Sequence, residues 1–220
     1  MEAESLNILW EDDCLLVAVK RPGMNSEHTP DGQGLPDLLA AEHGGYIAPI
    51  HRLDYSVGGA LLCAKTQAAA AALSASLAEG EVKKEYLALA HGDLPACGTL
   101  ENLLFYDRKA GKSFVVDRER KGVKAALLSF VCEQTQATEW GQISLLRVSP
   151  KTGRTHQIRV QFAHAGHPLL GDRKYGAPES LPLGLYCTHL RFPHPVTGAT
   201  ITVTSLPQKG AWNLFPILEK

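Results

Sequence analysis

Short apolar runs broken by glycine, proline and charged turns recur along the chain, and they predict strands more often than helices. Asn7–Trp10 and Cys14–Lys20, on either side of the acidic turn Glu11-Asp12-Asp13, read as a hairpin of two strands. Arg21-Pro22-Gly23 then breaks the ladder, since proline has no N–H to donate. Residues 24–34, with Pro30, Gly32 and Gly34, read as loop, and Leu35–His43 as a short helix closed by Gly44-Gly45. Tyr46–Asp54 leads into a strand over Gly59–Lys65. Thr66 predicts an N-cap for an alanine-rich helix over Gln67–Glu79, ended by Gly80.

Lys84–Gly92 reads as a strand. Residues 93–124 are polar and glycine-bearing, with no regular element assigned, and gather Arg108, Lys109, Lys112, Arg118, Arg120, Lys121 and Lys124. Strands are predicted over Ala125–Glu133 and Gln142–Ser149, and a turn over Pro150–Gly153. A helix over Thr155–Ala165 would stop at Gly166 and Pro168. The last strands are Leu183–Phe192 and Ala199–Thr204. No internal repeat, low-complexity tract or clear linker interrupts this order. Strands joined by short turns, with few helices, predict an α+β domain on a mixed, largely antiparallel sheet.

Composition narrows the function classes. The chain has 220 residues, with 22 lysines and arginines against 23 acidic residues and a net charge of −1. That balance argues against bulk, non-specific nucleic-acid binding but allows a local basic face. The five cysteines are odd in number and form no CxxC pair, as expected of free thiols in a reducing cytosol. The acidic start Met1–Ser5 lacks the apolar core of a signal peptide, and no apolar run reaches membrane-spanning length. A soluble cytoplasmic protein with no membrane contact is expected.

The candidate chemistry gathers in two segments. His51-Arg52-Leu53-Asp54 places one carboxylate at a loop-to-strand junction, which can hold a side chain rigidly yet open to a ligand. Thr152-Gly153-Arg154-Thr155-His156-Gln157-Ile158-Arg159 places two arginines and a histidine around a predicted helix start. There Arg154 would lie beside the orphan N–H groups, and Arg159, three residues after His156, would share its face. Ile158 and Phe162 would pack inward. On residue type alone Asp54 suits a turn cap better than a reacting group, the helix equally suits solvated cations, and Tyr86 equally suits a cross-strand aromatic or a phenol facing a ligand. His164 with His167 and His189 with His194 lack metal-site spacing, and no metal is expected. No Gly-rich phosphate loop, GxSxG or CxxC appears, so no nucleotide cofactor, serine hydrolysis or thiol redox chemistry is expected. One carboxylate facing a basic helix suggests metal-independent covalent chemistry on an anionic polymer.

These segments resemble the RluA family of RNA pseudouridine synthases, from near residue 6 to near residue 205. Ile8–Asp12 with Lys20-Arg21-Pro22-Gly23 resembles the family's first hairpin and its Lys-Pro-x-Gly segment. His51–Asp54 is similar to its catalytic motif and Lys84-Glu85-Tyr86 to its tyrosine-bearing strand. Thr152–Arg159, and then Gly166–Asp172 with Tyr175-Gly176, resemble its later motifs. The resemblance implies isomerisation of uridine to pseudouridine in rRNA or tRNA, by a single catalytic domain over 1–220, without cofactor; a monomer is the default expectation. It implies a mixed sheet in two halves with flanking helices and a central active-site cleft. Asp54 would be the nucleophile, Tyr86 would contact the base and Arg159 would pair with Asp54. Arg52 would fill the gap left by the flipped nucleotide, and Arg154, His156 and Lys84 would contact RNA. Tyr55-Ser56-Val57-Gly58-Gly59, Leu128 and Leu185-Tyr186-Cys187 depart from the family pattern, and bear on target choice more than on chemistry. The small S4 domain of many relatives is not expected ahead of residue 6. The rival readings are a non-catalytic RNA-binding protein or RNA chaperone on the same fold, and a carbohydrate-active enzyme. The latter usually needs paired carboxylates, and no second acidic candidate stands out.

Overall fold

A computed structural model of the chain describes residues 6–215. The chain folds into two compact units. One runs to Lys84 and resumes over Tyr186–Pro207; the other comprises Glu85–Leu185 and the residues from Gln208.

The first unit is built on β4 (Gly58–Ala64), whose seven residues are all buried, so its sequence is a continuous apolar run rather than an alternation. β2 (Leu15–Lys20) pairs with it antiparallel, from Leu15 opposite Ala64 to Lys20 opposite Gly59. β1 (Ile8–Glu11) completes the hairpin with β2, and the short β3 (Ala48–Pro49) pairs with β4. β10 (Leu185–Pro193) meets β4 in parallel through Tyr186 opposite Gly58 and Cys187 opposite Gly59, and β11 (Thr200–Thr204) returns antiparallel along β10. That parallel contact makes the sheet mixed. It also demands glycine: a Cβ on Gly59, at φ 122°, would sit 2.2 Å from the Cys187 carbonyl oxygen.

Two helices follow the expected boundaries closely. α1 (Leu35–His43) starts after Gly34, where the Asp37 carboxylate accepts the Gly34 and Thr29 amides at 3.0 and 2.9 Å. α2 (Gln67–Ala78) is capped by Thr66, whose hydroxyl accepts the Ala69 amide at 3.1 Å.

The second unit is antiparallel, with strand order β5-β9-β8-β6-β7. β5 (Lys83–His91), β8 (Val123–Thr138) and β9 (Gly141–Pro150) match predicted strands, β8 and β9 being extended to meet at a tight turn. The correction concerns residues 93–124, which hold two strands, β6 (Cys97–Asp107) and β7 (Lys112–Val116). Their half-exposed alternation, interleaved with charge, hides the period of two. A second correction concerns α3, which covers Gln157–His164 and not Thr155–Ala165. His156 precedes it at φ 54°, a left-handed conformation that no other non-glycine residue adopts among the described residues. Ile158 and Phe162 are buried as expected, and the Phe162 ring meets Phe130 edge-on with centroids 5.4 Å apart.

All five cysteines are free thiols. Among the described residues no helix is long and apolar enough to cross a membrane.

The close approach at Gly59 gives a test. Gly59→Ala should lower Tm far more than Gly80→Ala, because Gly80 also has positive φ (75°) but a Cβ there would meet nothing within 4 Å. Equal losses in thermal denaturation would mean that backbone conformation, not the Cys187 contact, sets the requirement.

Candidate active site

In the first unit the candidate carboxylate is held by a buried cation. Lys20, at the end of β2, has no solvent exposure. Its ammonium donates all three protons to main-chain carbonyls: Met24 at 2.8 Å, and Arg21 and Tyr55 at 3.2 Å each. Burial pulls its pKa from 10.5 down to about 8, and the nearby negative charge of Asp54 works in the opposite direction. Two further ties fix the same stretch. Ser26 Oγ donates to the Leu53 carbonyl at 2.8 Å and accepts the Leu53 amide at 3.0 Å, and the Gly23 amide donates to the Tyr55 carbonyl at 2.8 Å. Asp54 itself opens a turn closed by the Val57 amide on its carbonyl at 2.9 Å. The half-buried Asp54 is thus fixed on both sides by the 20–26 segment.

His51 and Lys84 are electrostatically coupled in the same unit. His51 is buried, and its Nε2 accepts the Leu62 amide at 3.2 Å. Burial, and then the charge of Lys84, lower its pKa from 6.5 to about 3, so it is neutral. Lys84 is half-buried and its pKa is also lowered by burial, while Cys187 acts to raise it. Arg52, by contrast, is an exposed cation, 3.5 Å from Glu27 on the rim.

In the second unit the later motif resolves into structural and presented residues. Thr152 Oγ1 accepts the Leu127 amide at 3.0 Å and donates to Gln157 Oε1 at 2.7 Å. Gln157 Oε1 also accepts the Arg154 amide, and its Nε2 donates to the Leu127 carbonyl at 3.1 Å. These bonds lock the start of α3 to β8. Arg154 lies three residues before the helix, with Nε on the Ala125 carbonyl at 3.0 Å, so the expected position beside the helix's orphan N–H groups is not found. His156 lies outside the helix, so it does not share a helical face with Arg159. Its Nδ1 is bonded to Tyr175 Oη at 3.0 Å, and that hydroxyl also accepts the Ser113 amide at 2.8 Å.

Arg159 is buried and forks onto Asp172, Nε to Oδ2 at 2.7 Å and Nη2 to Oδ1 at 2.8 Å. Its guanidinium also lies 5.2 Å from the Tyr175 ring centroid. Asp172 is nearly fully buried, and its carbonyl accepts the Tyr175 and Ala177 amides at 2.9 and 3.1 Å. Tyr86 is buried on β5 opposite Val148.

Asp54, Arg52 and Lys84 therefore fall in the first unit, and Tyr86, Arg154, His156 and Arg159 in the second. Sequence reasoning missed the roles of Lys20, Asp172 and Tyr175. All three stand in segments that resembled family motifs, but nothing in their spacing tells which would be buried or what they would bond. A separate cluster of Asp12, Cys14 and His194 was also unforeseen. There His194 Nδ1 accepts the Val196 and Thr197 amides, which leaves the proton on Nε2 to bond Asp12 Oδ2 at 2.6 Å. Burial raises the Asp12 pKa, but this bond and the Cys14 and Leu15 amides outweigh it and bring the pKa to about 2. The cluster straps the β1–β2 turn to the turn after β10.

Comparison with known proteins identifies the family and the fold. A family model described as RNA pseudouridylate synthase matches residues 14–164. Ribosomal large subunit pseudouridine synthase C of Pasteurella multocida is 33% identical over 212 residues, covering 90% of this chain and 63% of the relative. An uncharacterised RNA pseudouridine synthase of Bacillus subtilis, YhcT, is 33% identical over 210 residues, covering 91% of this chain and 68% of its own. The chain thus spans roughly two thirds of the length of these relatives. Among solved structures, human RNA pseudouridylate synthase domain containing 1 superposes with a TM-score of 0.80 at 26% identity, over 94% of this chain and 86% of that one. Human RNA pseudouridylate synthase domain containing 4, at 22% identity, shares the fold with a TM-score of 0.73, over 92% and 89% of the two chains.

The buried pair and the buried imidazole each make a prediction. Asp172→Asn should cost about 3–5 kcal/mol in urea unfolding, because it strands a buried guanidinium, while the double variant Arg159→Met/Asp172→Leu recovers most of that loss. A double variant no more stable than Asp172→Asn alone would refute this. For His51, the unfolded chain takes up a proton below pH 6.5 that the folded chain resists down to about 3. Its contribution is therefore present above pH 6.5 and lost as pH falls. His51→Gln should flatten the decline of Tm between about pH 6.5 and 4.5; an unchanged slope would show that other groups carry it.

Proposed function

The chain belongs to the RNA pseudouridylate synthase family, and on that premise we propose that it isomerises specific uridines to pseudouridine in structured RNA, with ribosomal RNA the first substrate to test and transfer RNA the second. The observation that carries this reading is Asp54: an acid on a turn tied from both sides, with a buried ammonium behind it. Evolving a fully buried lysine to brace one surface turn makes little sense for a turn cap, and good sense for a reacting group.

The reaction breaks the N1–C1′ bond, forms C5–C1′, removes the proton from C5 and leaves one on N1. It consumes no ATP and changes no oxidation state, so the reading includes no cofactor. The uracil must first leave its stack, at a cost of a few kcal/mol. Arg52 suits the vacancy: it is exposed, its rim pair with Glu27 is weak, and a planar guanidinium can stack and bind phosphate at once. Asp54 is the nucleophile, at ribose C1′ or uracil C6, or else the base that assists elimination to a glycal. Arg159 is its counter-charge and favours the ionised form. Asp172 holds Arg159 by two bonds to one edge of the guanidinium, which fixes its plane. Tyr86 stacks on the base and relays the C5 proton. His156, Arg154 and Lys84 are assigned to RNA contact. Of these, Lys84 would act from a half-buried position. The proposed enzyme works as a cytoplasmic monomer.

Asp54→Asn should reduce tritium release from [5-³H]uridine-labelled RNA to background while the variant still unfolds cooperatively, at a midpoint lowered only by the loss of the charge near Lys20. Pseudouridine mapping of total RNA from cells with and without the gene should lose a discrete set of sites. Retained turnover in the variant would refute the nucleophile. An unchanged map together with RNA binding would favour the non-catalytic alternative.

A further inference from the structure

The β6–β7–β8 ribbon presents one covered and one uncovered face. On the covered face Leu104 and Val115 pack with Ala126, Val160, Ala163 and Tyr175 against α3. Ser113, on the same face, bonds the Thr155 carbonyl at 2.6 Å and the Tyr175 hydroxyl. On the other face the register sets Phe105 directly opposite Phe114 on β7 and Val123 on β8, with Leu103 opposite Val116. None of these five side chains is buried, and Phe114 is 40% exposed. The ribbon thus carries an aromatic, apolar face open to water.

Two cations border that face. The Arg120 guanidinium lies 4.8 Å from the Phe105 ring centroid, and Lys112 Nζ lies 5.6 Å from that of Phe114 and 4.7 Å from that of Tyr175. Residues 107–124 hold seven lysines and arginines against three acids, a local charge of +4 in a chain whose net charge is −1. Everything outside this segment is therefore net acidic, and the basic face expected of a polyanion ligand is concentrated here.

We infer that this face is a platform for an unpaired stretch of the substrate RNA. One base stacks on Phe114 and a neighbour on the Phe105–Arg120 pair, while Lys112 and the basic residues after β7 neutralise the phosphates. The inference rests on the RNA-substrate reading above and adds where the strand lies and in what state. Rings on a flat sheet surface can accept only bases that are already unstacked, so single strands are preferred over duplex. The local charge favours an anionic chain over an apolar protein partner. Through Ser113, Tyr175 and His156 the same ribbon is bonded to the segment that leads into Arg159.

The test measures fluorescence anisotropy of the full-length protein with a labelled single-stranded RNA and with the same sequence as a duplex. Wild type should prefer the single strand. Phe114→Leu, which keeps an apolar side chain but removes the ring, should weaken single-strand binding by about 5- to 150-fold and leave duplex binding unchanged, and Phe114→Tyr should retain wild-type affinity. Arg120→Gln should lower the salt slope by about 0.7. Val131→Ser, a change at an exposed position elsewhere on β8, serves as the control. The platform is refuted if Phe114→Leu binds like wild type, if duplex is preferred, or if polyglutamate competes as well as RNA. Pseudouridine formation by wild type is scored alongside. Activity without Phe114 dependence sinks the platform alone, whereas Phe114-dependent binding without any pseudouridine sinks the isomerase reading alone.

Discussion

A lysine ammonium sealed away from water, spending its three protons on three backbone carbonyls, is the constraint on which the placement of Asp54 in the first unit depends. Burying a cation is costly, and here the cost is offset by complete hydrogen bonding and by the carboxylate close by. The three carbonyls belong to two loops, so the bonds draw the Arg21–Met24 loop and the Tyr55 turn onto one point. Ser26 and Gly23 add bonds between the same loops. Asp54 is therefore placed by main-chain geometry, before any substrate arrives. In the proposed reaction, a group fixed in advance need not be ordered during the step itself.

The second unit uses the same logic with opposite sign. There the cation is Arg159 and the buried brace is Asp172, gripped edge-on so that the guanidinium can neither rotate nor retreat. Tyr175 stands over Arg159 and joins it to His156 and to the β7 amide of Ser113. His156 adopts a left-handed backbone conformation that costs energy in a residue other than glycine. The bonds of Thr152 and Gln157 to β8 hold the chain on either side of it and maintain that strain. Polar side chains that look in sequence like ligand contacts thus divide into those that build the frame and those that are presented by it.

Most elements were legible in the sequence. The hairpin at Ile8–Lys20, the Thr66 cap and the two helices of the first unit followed from turn residues, capping chemistry and periodicity, which are local effects. The buried β4 was legible because a strand covered on both faces needs an unbroken apolar run. The strands β6 and β7 were not, since Lys, Glu and Asn interrupt their apolar positions and only pairing with β8 makes them strands. The end of α3 was legible from Gly166, but its start was not, because the interruption at His156 is imposed by Tyr175 and by the Gln157 bonds.

The order of the motifs was sufficient by itself to point to the family, and it made Asp54, Tyr86 and Arg159 the candidates, because residue type and spacing are written directly along the chain. The partners of those residues were another matter. That Lys20 would be sealed under the Tyr55 turn, that Asp172 would grip Arg159, and that Phe105 would stand opposite Phe114 in the β6–β7 register are pairings made only by folding. Their energies come from burial and from pairing of charges, quantities that no residue possesses until the chain has folded around it.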